Sequence, residues 1–381
     1  MNIALLGFGT VCKGVFDILK EMPEYNVKKI LIRNPAKKNM DCMTLSFDDI
    51  ENDKDIDLVV EAIGGLHPAK EYIISSLKAK KHVVTANKAV VAKYFDEFIS
   101  VAKENNVKFM VEATSGGGIP WIKNLQRVSR IDDVTRLYGI MNGTSNYILS
   151  AMTDENKDFD EVLKNAQDLG YAESDPSADI DGDDVRNKCA ISASIAFNSL
   201  VCVDDINQSG IRNITKSDIE WFENQDVVCK LFGTAIKDND HYDAVVEPVL
   251  LCKNTVEANV SKNYNITCLY GKTIGEVKLF GQGAGGFPTG NAIVQDIIDI
   301  KENQAFDISF NKTLSKSNII SGKYYIRIHN TDLKIIPNDI IECKDEINSS
   351  TIITTKEILS SEIHKILNQN NSKKIFIARF I

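Results

Sequence analysis

The 381-residue sequence has no surplus of basic residues and no long apolar run. Its 44 Lys and Arg against 53 Asp and Glu give a formal net charge of -9, so the composition excludes nucleic acid as the expected partner. No stretch is long and apolar enough to cross a bilayer, and we expect no membrane partner. The apolar start, residues 1–8, lacks the basic segment of a signal peptide. These features predict a cytoplasmic protein that acts on small molecules.

Disulfide and zinc-binding patterns are missing as well. The eight cysteines include no C-x-x-C pair, and the five histidines are scattered, without the spacing of zinc ligands. We therefore expect free thiols and no catalytic metal. A chain of this length with 43% hydrophobic residues can fill more than one core, which favours two domains and a small appendage.

Strands and helices alternate through the first third of the chain. A short apolar run at residues 2–6 is followed by glycines and then by apolar residues at helical spacing, which indicates strand, turn and helix. Similar apolar runs predict further strands at 27–32, 58–63, 82–86 and 108–113. This alternation is typical of an α/β fold with a Rossmann-type, doubly wound parallel sheet.

The predicted boundaries define three parts. The Rossmann-type domain is expected to span 1–118, with residues 285–302 returning to it as a helix. An α+β substrate domain is predicted for 119–284, with helices such as 185–198 and strands at 242–251 and 257–260. Residues 303–381 are expected to form a small C-terminal appendage.

The first turn almost matches the G-x-G-x-x-G pattern, with Cys12 in the third position. Alone, such a turn could be an ordinary chain reversal, but the strand before it and the helix after it favour a dinucleotide site. Arg33 stands where NAD sites usually carry an acid, and a guanidinium there can pair with a 2′-phosphate. NADP is therefore favoured over NAD, unless Arg33 belongs to a solvated basic turn. The candidate cofactor contacts are Gly7, Phe8, Gly9, Thr10, Val11, Arg33, Gly64, Lys88 and Gly283.

Several segments taken together resemble homoserine dehydrogenase. They are residues 7–14, 85–88, 112–120, 139–147, 170–176 running on to Lys188, and 281–289. The resemblance covers roughly residues 1–300 and implies reversible NAD(P)H-dependent reduction of L-aspartate 4-semialdehyde to L-homoserine, a step toward threonine and methionine. With no kinase segment before residue 1, we expect the monofunctional type.

The resemblance also implies catalytic roles for Lys188, Asp184 and Lys88. Lys188 would give a proton to the carbonyl oxygen, Asp184 would hold the reacting group or its bridging water, and Lys88 could share the acid role. Reduction of an aldehyde develops negative charge on oxygen, which fits a nearby ammonium. Asp184 and Lys188 lie at i and i+4 of a predicted helix, a spacing that usually gives a solvated surface ion pair. Lys88 could likewise be a solvent-facing loop residue.

Substrate contacts follow from the same resemblance. Glu173 is expected to bind the substrate ammonium, and Gly143 and Thr144 its carboxylate, while Asp179 is a further candidate in the same acidic segment. The alternative for residues 143–144 is a plain turn after a strand at 135–140.

Glu112 and the glycine loop after it resemble the family's monovalent cation site. There the backbone carbonyls of Ser115, Gly117 and Ile119 would join the carboxylate around a structural sodium ion, since hard cations prefer oxygen ligands. The glycines could instead serve only to permit positive φ angles.

The C-terminal part resembles fragments of a regulatory ACT domain. Strands are predicted at 324–329 and 350–354 and a helix at 357–367, but residues 330–337 replace the expected glycine turn, so a degenerate version is expected. The family also implies a homodimer or homotetramer that pairs through the sheet near 135–140.

Two other functions stay open. One is a different NAD(P)-dependent dehydrogenase for an amino-acid aldehyde or hydroxy acid, which substrate assays would separate. The other is a non-catalytic NADP sensor, which would have no use for Glu173, Asp184 and Lys188.

Overall fold

The computed structural model describes residues 1–347, 349–370 and 374–381. In this part of the chain the helices are α1 (Thr10–Leu19), α2 (Asp48–Glu51), α3 (Ala69–Lys78), α4 (Lys88–Glu104), α5 (Trp121–Val128), α6 (Gly143–Glu155), α7 (Phe159–Asp168), α8 (Ser177–Ile180), α9 (Asp183–Phe197), α10 (Lys216–Asn224), α11 (Gly286–Lys301) and α12 (Ser360–Gln369). The strands are β1 (Asn2–Leu6), β2 (Asn26–Leu31), β3 (Met43–Thr44), β4 (Leu58–Glu61), β5 (His82–Thr85), β6 (Phe109–Met110), β7 (Val134–Ile140), β8 (Asn207–Gln208), β9 (Val227–Asp238), β10 (His241–Cys252), β11 (Tyr264–Gly271), β12 (Gly275–Gln282), β13 (Ser315–Lys316), β14 (Ser321–Gly322), β15 (Tyr324–His329), β16 (Ile341–Ile347), β17 (Ser350–Thr355), β18 (Ile358–Leu359) and β19 (Phe376–Phe380).

The chain folds into two compact units. The first comprises Met1–Asp132, Ile191–Cys202 and Gly281–Thr313, and the second comprises Asp133–Ala190, Val203–Phe280 and Leu314–Ile381. A search of the described residues finds no helix with the length and apolar character that crossing a membrane requires.

The first unit contains a parallel six-stranded sheet. Its order is β3-β2-β1-β4-β5-β6, and every pairing along it is parallel. The chain order reverses between β1 and β4, which is the switch point where doubly wound folds bind ligands. Apart from Asn2 and Glu61 at their ends, strands β1 and β4 are apolar and buried, because helices cover both faces of such a sheet. The predicted Rossmann-type parallel sheet is therefore confirmed.

Helix α11 packs closely against α1 in this unit. A Cβ atom placed on Gly14 of α1 would lie 2.2 Å from the carbonyl oxygen of Gly286, so only a glycine permits this approach. Ile293 and Ile297 of α11 are fully buried in the same core as Ile3 of β1. The helix expected within residues 285–302 is thus present as Gly286–Lys301.

The second unit is built on a mixed sheet. Among the described residues it has eleven strands, in the order β12-β11-β7-β9-β10-β19-β15-β17-β16, with β8 and β13 also paired to β10. Strands β9 and β10 form a long antiparallel pair, from His241 opposite Asp238 to Cys252 opposite Val227. Apolar side chains such as Phe232 and Val249 fill one of its cores.

The C-terminal strands extend this same sheet. Strand β19 pairs in parallel with β10 and antiparallel with β15. The fully buried carboxylate of Glu247 on β10 accepts hydrogen bonds from Arg379 Nε at 2.5 Å, His364 Nε2 at 3.1 Å, Tyr324 OH at 3.1 Å and Ser360 Oγ at 3.3 Å. All four donors belong to the C-terminal segment, so Glu247 binds that segment to the sheet.

Two strand predictions are wrong in detail. The apolar run at 108–113 forms only the short strand Phe109–Met110, followed by a 3-10 turn at Glu112–Thr114. Residues 257–260, predicted as a strand, contain a 3-10 turn at Glu257–Asn259. Here the Glu257 carboxylate is held by Lys278 at 2.7 Å and Tyr138 at 3.2 Å, contacts with distant residues that the local sequence pattern does not record.

Candidate active site

The turn after β1 is shaped to admit a ligand close to the backbone. Gly7 has φ +97°, and a Cβ atom on Gly9 would meet no other atom within 4 Å. Helix α1 follows with Gly9 as its N-cap and without a side-chain cap. Its first N–H groups therefore point toward an open space in which a pyrophosphate fits.

A cavity of about 780 Å³ opens at this turn. Its lining includes four predicted cofactor residues, Gly7, Phe8, Gly9 and Arg33. Two further cations, Lys13 and Lys37, also line it. Sequence reasoning missed Lys13, although its position one turn into α1 could have indicated it. Thr10 is exposed and Val11 half-buried at the start of α1.

The carboxyl ends of β4 and β5 are joined by a buried acid. The carboxylate of Glu61 accepts hydrogen bonds from Thr85 Oγ1 at 2.6 Å, the Ile63 N–H at 2.9 Å and Asn87 Nδ2 at 3.4 Å. Burial raises the pKa of Glu61, and these donors act against the rise. Glu61 was not predicted as a site residue; the acid at the end of the apolar strand Leu58–Glu61 was the available signal.

Asn87 carries this arrangement to Lys88. The Asn87 amide donates to the Gly65 carbonyl oxygen at 2.7 Å, and its side-chain oxygen caps α4 by accepting from the Val90 N–H at 3.3 Å. Lys88 follows as the first residue of α4 and is half-buried, while Gly64 is exposed just after β4. Both predicted residues thus stand at the carboxyl edge of the parallel sheet, where ligands bind in this fold.

Glu112 is a buried acid in the 3-10 turn after β6, and its carboxylate contacts the first turn of α5. Its Oε2 accepts from the Lys123 N–H at 2.6 Å, and its Oε1 is buried without a hydrogen-bond partner. Its backbone N–H donates to Asp296 Oδ2 at 3.0 Å. Burial raises the pKa of Glu112 to about 7 and also raises that of Asp296. An unpartnered oxygen beside a second acid is an arrangement that a cation can complete.

The glycine loop after Glu112 is tightly enclosed. Ser115, Gly117 and Ile119 are all buried. Gly117 has φ +58°, and a Cβ atom there would lie 2.4 Å from the carbonyl carbon of Gly283. The predicted cofactor residue Gly283 is therefore buried against this loop.

In the second unit, Lys188 is buried beside an acid. Its Nζ donates to Asp184 Oδ2 at 2.7 Å and to the Met141 carbonyl oxygen at 2.8 Å. The side chains of Lys188 and Asp184 are only 10% and 6% exposed. This excludes the solvated surface pair that the i, i+4 spacing alone would favour.

Asn142 links Asp184 to Asp179. Its Nδ2 donates to Asp179 Oδ1 at 2.6 Å and to Asp184 Oδ2 at 2.8 Å, and its Oδ1 accepts from the Ser145 N–H at 2.7 Å as the N-cap of α6. Burial and the nearby Asp184 raise the pKa of Asp179. Asp179, Asp184 and Lys188 are thus brought together, and Asn142 is the residue that sequence reasoning missed.

The remaining predicted substrate residues lie near the same helix start or apart from it. Gly143 and Thr144 are the first residues of α6, and the Thr144 hydroxyl donates to the Tyr171 carbonyl oxygen at 2.7 Å. Glu173 is exposed, and its backbone carbonyl oxygen accepts from Gln167 Nε2 at 3.0 Å. Among the described residues, no hydrogen bond or ion pair links the Glu173 carboxylate to Asp179 or Asp184.

No cluster of three or more His, Cys, Asp or Glu side chains able to hold a metal occurs within residues 1–347, 349–370 and 374–381.

The residues around the first turn do fit a dinucleotide. The glycines leave room for a pyrophosphate, and the cavity volume lies within the roughly 300–1,000 Å³ usual for ligand pockets.

Comparisons with known proteins agree over most of the chain. The family described as "Homoserine dehydrogenase" matches residues 120–298, and "Homoserine dehydrogenase, NAD binding domain" matches residues 7–112. The homoserine dehydrogenase of Bacillus subtilis is 34% identical over 377 residues, which cover 93% of this chain and 84% of that protein. The homoserine dehydrogenase of Synechocystis sp. is 40% identical over 330 residues, covering 81% and 76%. A solved homoserine dehydrogenase from Thiobacillus denitrificans has a TM-score of 0.88 at 30% identity, covering 100% of this chain and 98% of that one.

The resemblance predicted from the motifs is therefore confirmed, and neither a different dehydrogenase nor a non-catalytic sensor is favoured. Because the match includes the NAD-binding domain, the cofactor is a nicotinamide dinucleotide. The chain belongs to the homoserine dehydrogenase family and is an NAD(P)-dependent oxidoreductase that interconverts L-aspartate 4-semialdehyde and the CH–OH group of L-homoserine.

Proposed function

We propose that Lys188 and Asp184 form the proton-transfer centre of this homoserine dehydrogenase. The observation that carries the proposal is the buried Lys188 ammonium, 2.7 Å from Asp184 Oδ2. A bound nicotinamide cofactor supplies the hydride to the carbonyl carbon. Lys188 Nζ gives a proton to the carbonyl oxygen as charge develops there, and the resulting neutral amine regains a proton from solvent. In the reverse direction the neutral amine accepts the hydroxyl proton.

Asp184 holds the Lys188 ammonium at the proposed centre through the contact of 2.7 Å between Lys188 Nζ and Asp184 Oδ2. A buried charge needs such a partner to offset the loss of its hydration. The Met141 carbonyl oxygen, at 2.8 Å, fixes the direction of the ammonium. Lys88, at the carboxyl edge of the parallel sheet, is proposed to share the acid role, as the family resemblance implies.

The substrate amino acid is proposed to bind around the start of α6. The first N–H groups of a helix lack partners within the helix, so Gly143 and Thr144 suit a carboxylate. Asp179 and the exposed Glu173 suit the ammonium by charge. Glu173 is exposed, so this proposal requires its side chain to turn toward the substrate ammonium when the substrate binds.

A Lys188→Ala variant tests the centre. Loss of a general acid should lower kcat by about 10²–10⁴-fold, with cofactor affinity by fluorescence titration unchanged. Methylamine should restore part of the turnover, since it supplies the missing ammonium. Lys164→Ala, an exposed lysine on α7, is the control and should retain full activity. Full turnover in Lys188→Ala would refute the assignment.

NADP is proposed as the preferred cofactor. Arg33 lines the cavity together with Lys13 and Lys37, and this positive lining favours a 2′-phosphate. A charge-assisted hydrogen bond contributes about 1.5–3 kcal/mol, so Arg33→Ala should lower kcat/KM for NADPH by roughly 10–100-fold and change that for NADH little. Lys38→Ala removes the same charge from a neighbouring residue outside the cavity lining. Equal losses with both cofactors in Arg33→Ala would refute the preference.

A structural sodium ion is proposed at Glu112, with the backbone carbonyls of Ser115, Gly117 and Ile119. The buried Glu112 Oε1 without a partner supports it. Sodium chloride should raise the melting temperature at pH 8 above that in choline chloride at equal ionic strength. Glu112→Gln should abolish this difference, and an undiminished difference would contradict the site.

The assembly, domain division and location also stay proposals. We propose a homodimer or homotetramer, supported by the exposed Tyr270 and Phe280 on β11 and β12, close to β7 in the sheet. The proposed domains are 1–118 with 285–302, 119–284 and 303–381. The chain order of β16, β17, α12 and β19 supports a shortened ACT-like segment in the last of these. We propose a cytoplasmic location, which cell fractionation tests.

A further inference from the structure

Every polar atom of the Asn142 side chain is engaged at the proposed proton-transfer centre. Its two N–H groups serve two different carboxylates, at 2.6 Å to Asp179 and 2.8 Å to Asp184, and its oxygen caps α6 through Ser145. Asn142 is only 4% exposed. A helix cap needs only the oxygen, so the two N–H contacts require a separate explanation.

The two carboxylates need a donor between them. Two acids that approach one group repel each other, and here Asp184 is buried while Asp179 is half-buried. Asp184 accepts from Lys188 Nζ at 2.7 Å as well as from Asn142, and Asp179 accepts from Asn142 at 2.6 Å. The primary amide of Asn142 offers one donor to each acid, and its hydrogen bond acts against the rise in the pKa of Asp179 that burial and Asp184 cause.

Asn142 also fixes the lysine from the other side. Lys188 donates to the carbonyl oxygen of Met141, the residue that precedes Asn142. Because Asn142 caps α6, the Met141 carbonyl is held where the helix begins. A displacement of Asn142 would therefore disturb two acceptors of Lys188, Asp184 Oδ2 and the Met141 carbonyl oxygen.

We propose that Asn142 is a positioning residue for proton transfer: its amide bridges Asp179 and Asp184 and holds Asp184 toward Lys188. The inference rests on the proposed roles of Asp184 and Lys188. It assigns no contact between Asn142 and the substrate.

Two substitutions separate bridging from capping. Asn142→Asp and Asn142→Ser both retain a good N-cap for α6. The Asp variant places a third carboxylate against Asp179 and Asp184 in place of the two N–H donors. The Ser variant has a side chain too short to bridge the two acids. We expect kcat to fall by about 100-fold in Asn142→Asp and by about 10-fold in Asn142→Ser, with the dissociation constant for NADPH unchanged, as for partial loss of a general acid. Asn156→Asp, at the other end of α6 and exposed, is the control for the added charge and should retain wild-type kcat.

The pH profile gives a readout that a merely structural role would not move. The charged groups that act on Asp179 are Asp184 and Lys188. Without the amide donor the ionised form of Asp179 loses stabilisation, so its titration moves to higher pH. The acidic limb of the kcat profile should therefore shift upward in Asn142→Ser, by about one unit.

The results distinguish the bridging role of Asn142 from the proton-transfer role of Lys188. If both Asn142 variants keep wild-type kcat and an unshifted acidic limb while Lys188→Ala loses turnover, the bridging role is wrong and the proton-transfer centre stands. If Lys188→Ala keeps turnover, the centre itself is wrong. If Asn142→Asp fails to fold by circular dichroism, the Asn142→Ser profile decides alone, because a serine cap preserves α6; an unshifted limb there overturns the inference.

Discussion

Replacement of Glu247 by Gln should destabilise the second unit strongly. Glu247 is fully buried on β10, and the side chains of Arg379, His364, Tyr324 and Ser360 converge on its carboxylate. Glutamine has nearly the same shape but no charge, so the buried Arg379 guanidinium would lose its counterion. The four donors all come from residues 324–379, and the change therefore acts on the attachment of the C-terminal segment to the sheet.

The expected magnitude follows from the burial. Removing one partner of a buried ion pair costs about 3–5 kcal/mol, because the other charge remains desolvated. At about 2–4 °C per kcal/mol for a domain of this size, the melting temperature should fall by roughly 6–20 °C. Tyr324 and Ser360 lose little, since the amide oxygen can still accept from them.

Calorimetry of matched variants checks the reasoning. Glu342→Gln breaks the Lys323–Glu342 pair at 2.6 Å, whose side chains are 47% and 41% exposed, in the same C-terminal segment. An exposed pair contributes about 0.2–1 kcal/mol, so this control should hardly change the melting temperature. If Glu247→Gln and Glu342→Gln melt at the same temperature, the buried network does not hold the segment.

Acid should weaken the same network. Burial raises the pKa of Glu247, but His364 and Arg379 outweigh burial and hold that pKa below its ordinary value. A carboxyl whose pKa is lowered by folding stabilises the protein above its unfolded pKa and loses this contribution as the pH falls through the folded value. The wild type should therefore lose more stability than Glu247→Gln on acidification from neutral pH toward pH 3.

Three further outcomes follow from other contacts. Gly14→Ala should destabilise the first unit by about 1–3 kcal/mol and weaken NADPH binding, because a Cβ atom would lie 2.2 Å from the facing backbone of α11; denaturation equal to that of Asp17→Ala, an exposed change on the same helix, would contradict this. Phe280→Asp should reduce the oligomer to a smaller species by light scattering, whereas Phe287→Asp, also exposed but in the first unit, should not. Without sodium, folding stability should fall as the pH rises from about 4.5 to about 7, since burial raises the pKa of Glu112 from 4.5 to about 7 and the folded state then holds the extra proton. Glu112→Gln should remove this fall. If the stability of Glu112→Gln still falls over the same pH range, the assignment of the fall to Glu112 is wrong.

The features predicted well from the sequence are those encoded by nearby residues. The strand Asn2–Leu6, the glycine turn and helix α1 follow one another within twenty residues, and their order predicts the parallel sheet. The spacing of Asp184 and Lys188 is likewise local to one helix. The spacing does not predict that both side chains are buried, because this depends on contacts with Met141 and Asn142 from a distant segment.

The features that were missed depend on contacts between distant segments. Asn142 was not predicted as a site residue, because its two N–H contacts form only when α8 and α9 bring Asp179 and Asp184 to it. The strand predicted at 257–260 becomes a turn whose acid is held by Lys278 and Tyr138. The pairing of β19 with β10 was not predicted either, because no local pattern links two strands more than a hundred residues apart.

The close packing of α11 on α1 also bears on biosynthesis. A ribosome makes the first 130 residues long before it makes residues 286–301, so the nascent Rossmann-type sheet lacks one of its covering helices while the whole middle of the chain is translated. During that interval the apolar surface around Val15 and Ile3 stays open to water or to chaperones. Chains terminated before residue 286 should therefore aggregate, and the nucleotide-binding unit should reach its native state only near the end of synthesis.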